Sequence, residues 1–120
     1  MAKVVKKSFD SPEETRPMKK GKAEVVDVGG ITAMRVTFEP GWRWSECVKP
    51  IVGTDSCQVS HLVHVISGRM GIRMDDGSEA VFGPGDVGSI PPGHDAWIVG
   101  NEPFVGIDFQ GGAIYAKPQS

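Results

Sequence analysis

Few side chains in this 120-residue chain can do chemistry. There are three histidines, His61, His64 and His94, and two cysteines, Cys47 and Cys57. Imidazole nitrogen and thiolate sulfur suit zinc, iron, nickel or copper far better than magnesium or calcium. A catalytic zinc takes three protein ligands and leaves one position open. His61 and His94 with Cys47 or Cys57 would make such a set. The cysteines have other readings: a disulfide, or small buried residues, where free Cys is commonly found. The histidines have one too. Hydrogen-bonded in a metal-free pocket, His61 and His94 would serve as general acid and base near neutral pH. Glu46 is a further acid/base candidate; otherwise it and Lys49 are solvated or paired at a rim.

A small-molecule site also needs apolar walls around a few polar groups. Trp42 and Trp44 share a face if their segment is extended, and with Met34 and Met74 they are the candidate pocket lining. Trp97 lies three residues past His94 and is expected to face away from it.

The elements that must carry these residues read as short strands between Gly/Pro turns. The strand-like segments are 23–28, 31–39, 57–67, 69–74, 78–82, 87–90, 95–99 and 104–109. No segment keeps a helical period over 11 residues. Many short strands with turns at this spacing predict an all-β chain, an antiparallel sandwich or barrel. Side chains alternate along a strand, so Cys57, Val59, His61, Val63 and Val65 share one face. Gln58, Ser60, Leu62 and His64 take the other, which makes His64 structural or part of a subunit contact. By the same rule His94 and Ala96 face one way. Residues 45–56 form a long connection, a binding loop or lid or else a plain surface insertion. Residues 1–22 read as a polar N-terminal arm, with at most one helical turn after Ser11-Pro12, and 23–120 as one β domain.

Bulk properties narrow the partners. The net charge is −2, and the lysines and arginines are scattered apart from the N-terminal lysines, so no nucleic-acid footprint is expected. No apolar run approaches the roughly 18–20 residues of a membrane span. The N-terminus lacks the order of a secretory signal. The expectation is a cytoplasmic protein with its cysteines reduced.

The densest cluster of turn residues is the run from Gly83 to His94. Within it, Gly85-x5-Pro91-x-Gly93 followed by a nearby histidine resembles the second motif of the cupins, Gly-x5-Pro-x-Gly-x2-His-x3-Asn. Val65-Ile66-Ser67-Gly68-Arg69-Met70 resembles the end of their first motif. The hairpin Met74-Asp75-Asp76-Gly77 and the turn Pro40-Gly41 fit as well, so the resemblance spans residues 31–109. It implies a single-domain antiparallel jelly-roll β-barrel, a small-molecule ligand, a divalent metal inside the barrel, and a homodimer. Residue by residue the metal positions depart from the pattern. Counting back from Gly68, the family's Glu falls on His61. Its two histidines fall on Cys47 and Lys49 counting from Gly41; counting back from His61 they fall on Asp55 and Cys57 with the family's shorter spacing, or on Thr54 and Ser56 with the longer. Ala96 stands at the second motif's His, with His94 two residues early, and Gly100 stands at its Asn. The function implied is a metal-dependent enzyme acting on a small organic substrate. The alternative is a metal-free cupin that binds or senses a ligand without catalysis.

Overall fold

The computed structural model describes residues 2–113 and 115–117. Nine strands run in chain order: β1 (Glu14–Met18), β2 (Gly21–Val28), β3 (Ile31–Phe38), β4 (His61–Ser67), β5 (Arg69–Met74), β6 (Glu79–Phe82), β7 (Val87–Ile90), β8 (His94–Val99) and β9 (Phe104–Asp108). Two helices of four residues each, α1 (Trp44–Cys47) and α2 (Lys49–Val52), lie between β3 and β4. A six-stranded sheet has the order β1-β2-β3-β9-β4-β7, and a three-stranded sheet has the order β6-β5-β8. All pairings are antiparallel. The core lies between the sheets, where Met34, Val36, Phe38, Val63, Val65, Ile72, Ala96 and Phe104 are buried. Among the described residues no helix is long and apolar enough to cross a membrane.

Local sequence explains most of these boundaries. The β2–β3 hairpin turns at Gly29-Gly30, where both residues have positive φ, +61° and +89°. Two-residue hairpins of that kind match the twist of the strands they join, and glycine adopts the conformation without a Cβ penalty. The Asp27 Oδ1 atom accepts the Gly30 N–H at 2.9 Å and fixes the turn.

Two expectations change. The stretch read as a polar arm contains β1, which pairs with β2 from Glu14↔Val25 to Met18↔Gly21. It reads as non-strand because it is an edge strand with a single buried side chain, Arg16. Pro17 is tolerated at such an edge, where a missing N–H costs little. The connection 45–56 is not a plain loop either. Its helices bury Trp44, Cys47, Val48 and Val52 against the open end of the core. Asp95 on β8 anchors α1, its Oδ1 accepting the Ser45 N–H at 3.1 Å, and proline opens α2. Helices of four residues leave no periodicity to read.

The alternation on β4 and β8 is as expected. His61, Val63 and Val65 point into the core, while Leu62 and Ile66 are exposed and His64 is half-buried. His94, Ala96 and Ile98 point inward from β8. Trp97 lies on the far side of that strand. A Cβ on the cross-strand Gly71 would stand 2.4 Å from its ring, and the Arg43 guanidinium covers it at 5.2 Å.

Candidate metal centre

Cys57, His61 and His94 meet at one end of the core. One ligand atom from each lies within 4.8 Å of the other two, and all three residues are buried. Backbone pairing assembles the cluster. The Cys57 N–H donates to the His94 carbonyl at 2.7 Å, and the Gly93 N–H donates to the Cys57 carbonyl at 2.7 Å. That bridge sets Cys57 beside His94. His61 opens β4 opposite Ile90 of β7 and leaves its Nε2 3.7 Å from the Cys57 Sγ. The two imidazole rings cross edge-on at 5.2 Å.

Each histidine has its Nδ1 engaged. His61 Nδ1–H donates to Asp108 Oδ2 at 2.5 Å, and His94 Nδ1–H donates to the Pro91 carbonyl at 2.8 Å. A histidine that donates through Nδ1 presents its Nε2 lone pair, and metal-binding histidines are held in this way. Asp108 is held in turn. Its Oδ1 accepts the backbone N–H of Leu62 at 3.2 Å, Gln110 at 2.9 Å and Gly111 at 3.1 Å.

The charges follow from this arrangement. Burial alone would raise the Cys57 thiol, but hydrogen bonding to His61 and His94 outweighs it and brings the group from 9.0 down to about 6. Burial alone would lower the His61 imidazolium. The Asp108 carboxylate, then the Cys57 sulfur, raise it from 6.5 to about 9. Burial also works against the Asp108 carboxylate, yet His61 and the N–H groups of Gln110 and Gly111 keep it below its ordinary value. Without an ion, the site is therefore a thiolate and an imidazolium backed by a carboxylate.

This donor set suits a soft or borderline divalent ion. A tetrahedral zinc bound by one sulfur and one imidazole nitrogen sets those atoms about 3.5 Å apart, close to the Cys57–His61 separation. Three protein ligands would leave a fourth position free, and an apolar cavity of about 40 Å³, which His61 and His94 help to line, lies beside them. Met34, Trp42, Trp44, Val63, Ile72 and Phe104 are among its walls, and Tyr115 closes it beside the ligands. The Tyr115 ring stands edge-on to His61 at 5.5 Å. Burial, then the negative charges of Cys57 and Asp108, keep its phenol protonated.

Of the candidate ligands, His61, His94 and Cys57 converge. Cys47 is buried on α1 in the apolar core and is not one of the three whose donor atoms meet. Both cysteines are free, so the disulfide reading falls. Glu46 is exposed on α1, away from the cavity it would have to serve. Trp42, Trp44 and Met34 line the cavity, although neither tryptophan lies on a strand. Trp42 sits in the turn before α1 and stacks on Phe38 at 3.8 Å. Met74 lines a surface groove between β6 and β7 instead. Sequence reasoning missed Asp108 and Tyr115. Asp108 left a trace, since alternation from Phe104 through Gly106 puts an acidic residue on the inward face of β9. Tyr115 lies beyond the last strand, where no periodicity places it.

No protein-family model matches the chain, and no curated protein matches it. Solved structures do. An oxalate decarboxylase from Lactobacillus farciminis, solved as a formate complex, matches at 20% identity with a TM-score of 0.60; the match covers 85% of this chain and 32% of the other. This chain thus spans about a third of that protein's length. A protein of unknown function from Rhizobium leguminosarum matches at 17% identity and a TM-score of 0.63, over 91% of this chain and 99% of the other. Another, from Acidithiobacillus ferrooxidans, matches at 17% identity and a TM-score of 0.60, over 89% and 96%. With its two antiparallel sheets closing over one core, the chain has a cupin-like fold.

Proposed function

We propose that this protein is a small-molecule-binding, metal-dependent enzyme whose centre is one divalent transition ion, zinc, iron, nickel or copper, held by Cys57, His61 and His94. The observation that carries this reading is the convergence of three buried donors with both Nδ1 atoms already engaged. A bound ion would supply Lewis-acid polarisation of a substrate oxygen or a more acidic bound water. The protein's own part is to orient the ligands through Asp108 and Pro91, to keep Cys57 ionised, and to exclude bulk water with apolar walls. The test is metal analysis of untagged protein together with a cobalt(II) titration. Stoichiometric uptake with thiolate-to-cobalt absorption, lost in Cys57→Ser, is the expected result. Protein that takes up none of these ions defeats the proposal.

One observation favours a second reading. Cys57, His61 and Asp108 are in line, with Sγ 3.7 Å from Nε2 and Nδ1 bonded to the carboxylate, an arrangement that also activates a nucleophilic cysteine. We prefer the metal because His94 also turns toward Cys57, so three buried donors converge where a triad needs only one histidine. Alkylation of Cys57 blocked by stoichiometric metal is expected; metal-free turnover abolished by alkylation would favour the nucleophile.

The partner we propose for the outer face of the large sheet is a second copy of the chain. Leu62, Ile66 and Val87 are 41%, 49% and 68% exposed there.

A further inference from the structure

We propose that Tyr115 is the specificity-determining residue of this centre: its ring is the wall that limits a metal-bound ligand to about three non-hydrogen atoms. The inference rests on the metal-centre reading and adds the class of ligand. Three observations carry it. First, the cavity beside the ligands has only about 40 Å³, and one water needs roughly 10–15 Å³. Second, a separate pocket of about 60 Å³ lies on the other side of Tyr115 and Trp44, which wall both spaces; Thr54 and Gln58 give it a polar rim. Removing the phenol ring would join the two. Third, the backbone that carries the ring is held in place. The Tyr115 carbonyl accepts the buried Arg16 Nη1–H at 2.8 Å, and its N–H donates to the Gly111 carbonyl at 3.1 Å. Arg16 is in turn held by Glu14 at 3.0 Å. A wall latched from β1 to the segment after β9 excludes by size, and the ligand class that fits behind it is a compact, metal-binding species such as a triatomic anion.

The experiment uses the whole chain loaded with cobalt(II), with azide and imidazole as probes read by changes in the visible spectrum. Wild type is expected to favour azide over imidazole. Tyr115→Ala is expected to shift that preference toward imidazole by at least about tenfold, the scale on which pocket volume discriminates ligands. Tyr115→Phe keeps the ring and is expected to keep the preference. Tyr115→Trp enlarges the wall and should weaken azide, which serves if the alanine variant melts below the assay temperature. An unchanged azide-to-imidazole ratio in both the alanine and tryptophan variants overturns the proposal while leaving the metal centre intact. Failure of wild type to take up cobalt overturns both.

Discussion

Asp108 accepts three backbone N–H groups on one oxygen and His61 on the other, so it fixes the His61 ring without touching an ion. Asp108→Asn should therefore weaken metal binding by about 10–100-fold, the usual cost of losing such a partner, measured by competition with a chromophoric chelator; an unchanged affinity would show that His61 needs no orienting group. The protonation states give a second prediction, for the metal-free protein. Between pH 6.5 and about 9 the folded pair holds one proton, on His61, and the unfolded pair holds one, on Cys57. Equal proton counts mean no slope of stability with pH from this pair in that window. In Cys57→Ala the compensation is gone. Asp108 still raises His61, so its contribution is fully present below 6.5 and is lost as pH rises through the folded value. Urea unfolding at a series of pH values should show a decline in the variant that wild type lacks, and parallel profiles would refute the assignment. At this scale much of the site was legible. Alternation put His61 and Cys57 on one face and His94 on the same side as Ala96. The choice of Cys57 over Cys47 was not legible, because it depends on a backbone bridge between residues 37 apart and on a helix that carries Cys47 into the core.

The segment leaving β9 must pass so close to the site that it has no room for a side chain. A Cβ on Gly111 would stand 2.7 Å from Asp108 Oδ2 and 2.8 Å from both His61 Nδ1 and Val59 Cγ1. Gly111→Ala should thus move the turn or the ion-pair partners, at a cost of about 1–3 kcal/mol, as overpacking typically does. It should also reduce metal affinity, whereas Gly100→Ala, where nothing lies within 4 Å, should lose stability through its positive φ alone and leave metal binding unchanged. The comparison needs only melting curves and the chelator assay on the two variants. At the scale of elements, eight of the strands were plain from sequence, because Gly/Pro turns bracket them. The missing pieces share a cause. β1, α1 and α2 are short and gain their stability from what they lean on, β2 or the core end, not from a pattern of their own.

The molecule as a whole leaves one face of its large sheet unfinished. On β4 the outward residues are Leu62, His64 and Ile66. His64 lies in register with Val87 of β7 on one side and Ile107 of β9 on the other. Phe109, 50% exposed, follows at the end of β9. The β2–β3 side of the same sheet is different, because residues 9–13 cross it. Arg35 lies over the Phe9 ring at 5.4 Å and pairs with Glu24 at 3.0 Å, and Val26 and Ala33 are buried. The exposed apolar strip is thus bounded on one side by a charged, covered region, which gives a second copy a defined register. A contiguous patch rimmed in this way marks an interaction surface, and an isologous pairing would bury it on both copies at once. Such a pairing would also give the half-buried His64 the subunit-contact role open to it from sequence. Light scattering should find a mass near twice 12.9 kDa, and Ile66→Lys with Leu62→Lys should halve it. Those substitutions point away from the core, so the metal centre should load as before. A wild type that stays monomeric at tens of micromolar would assign the strip to a different partner.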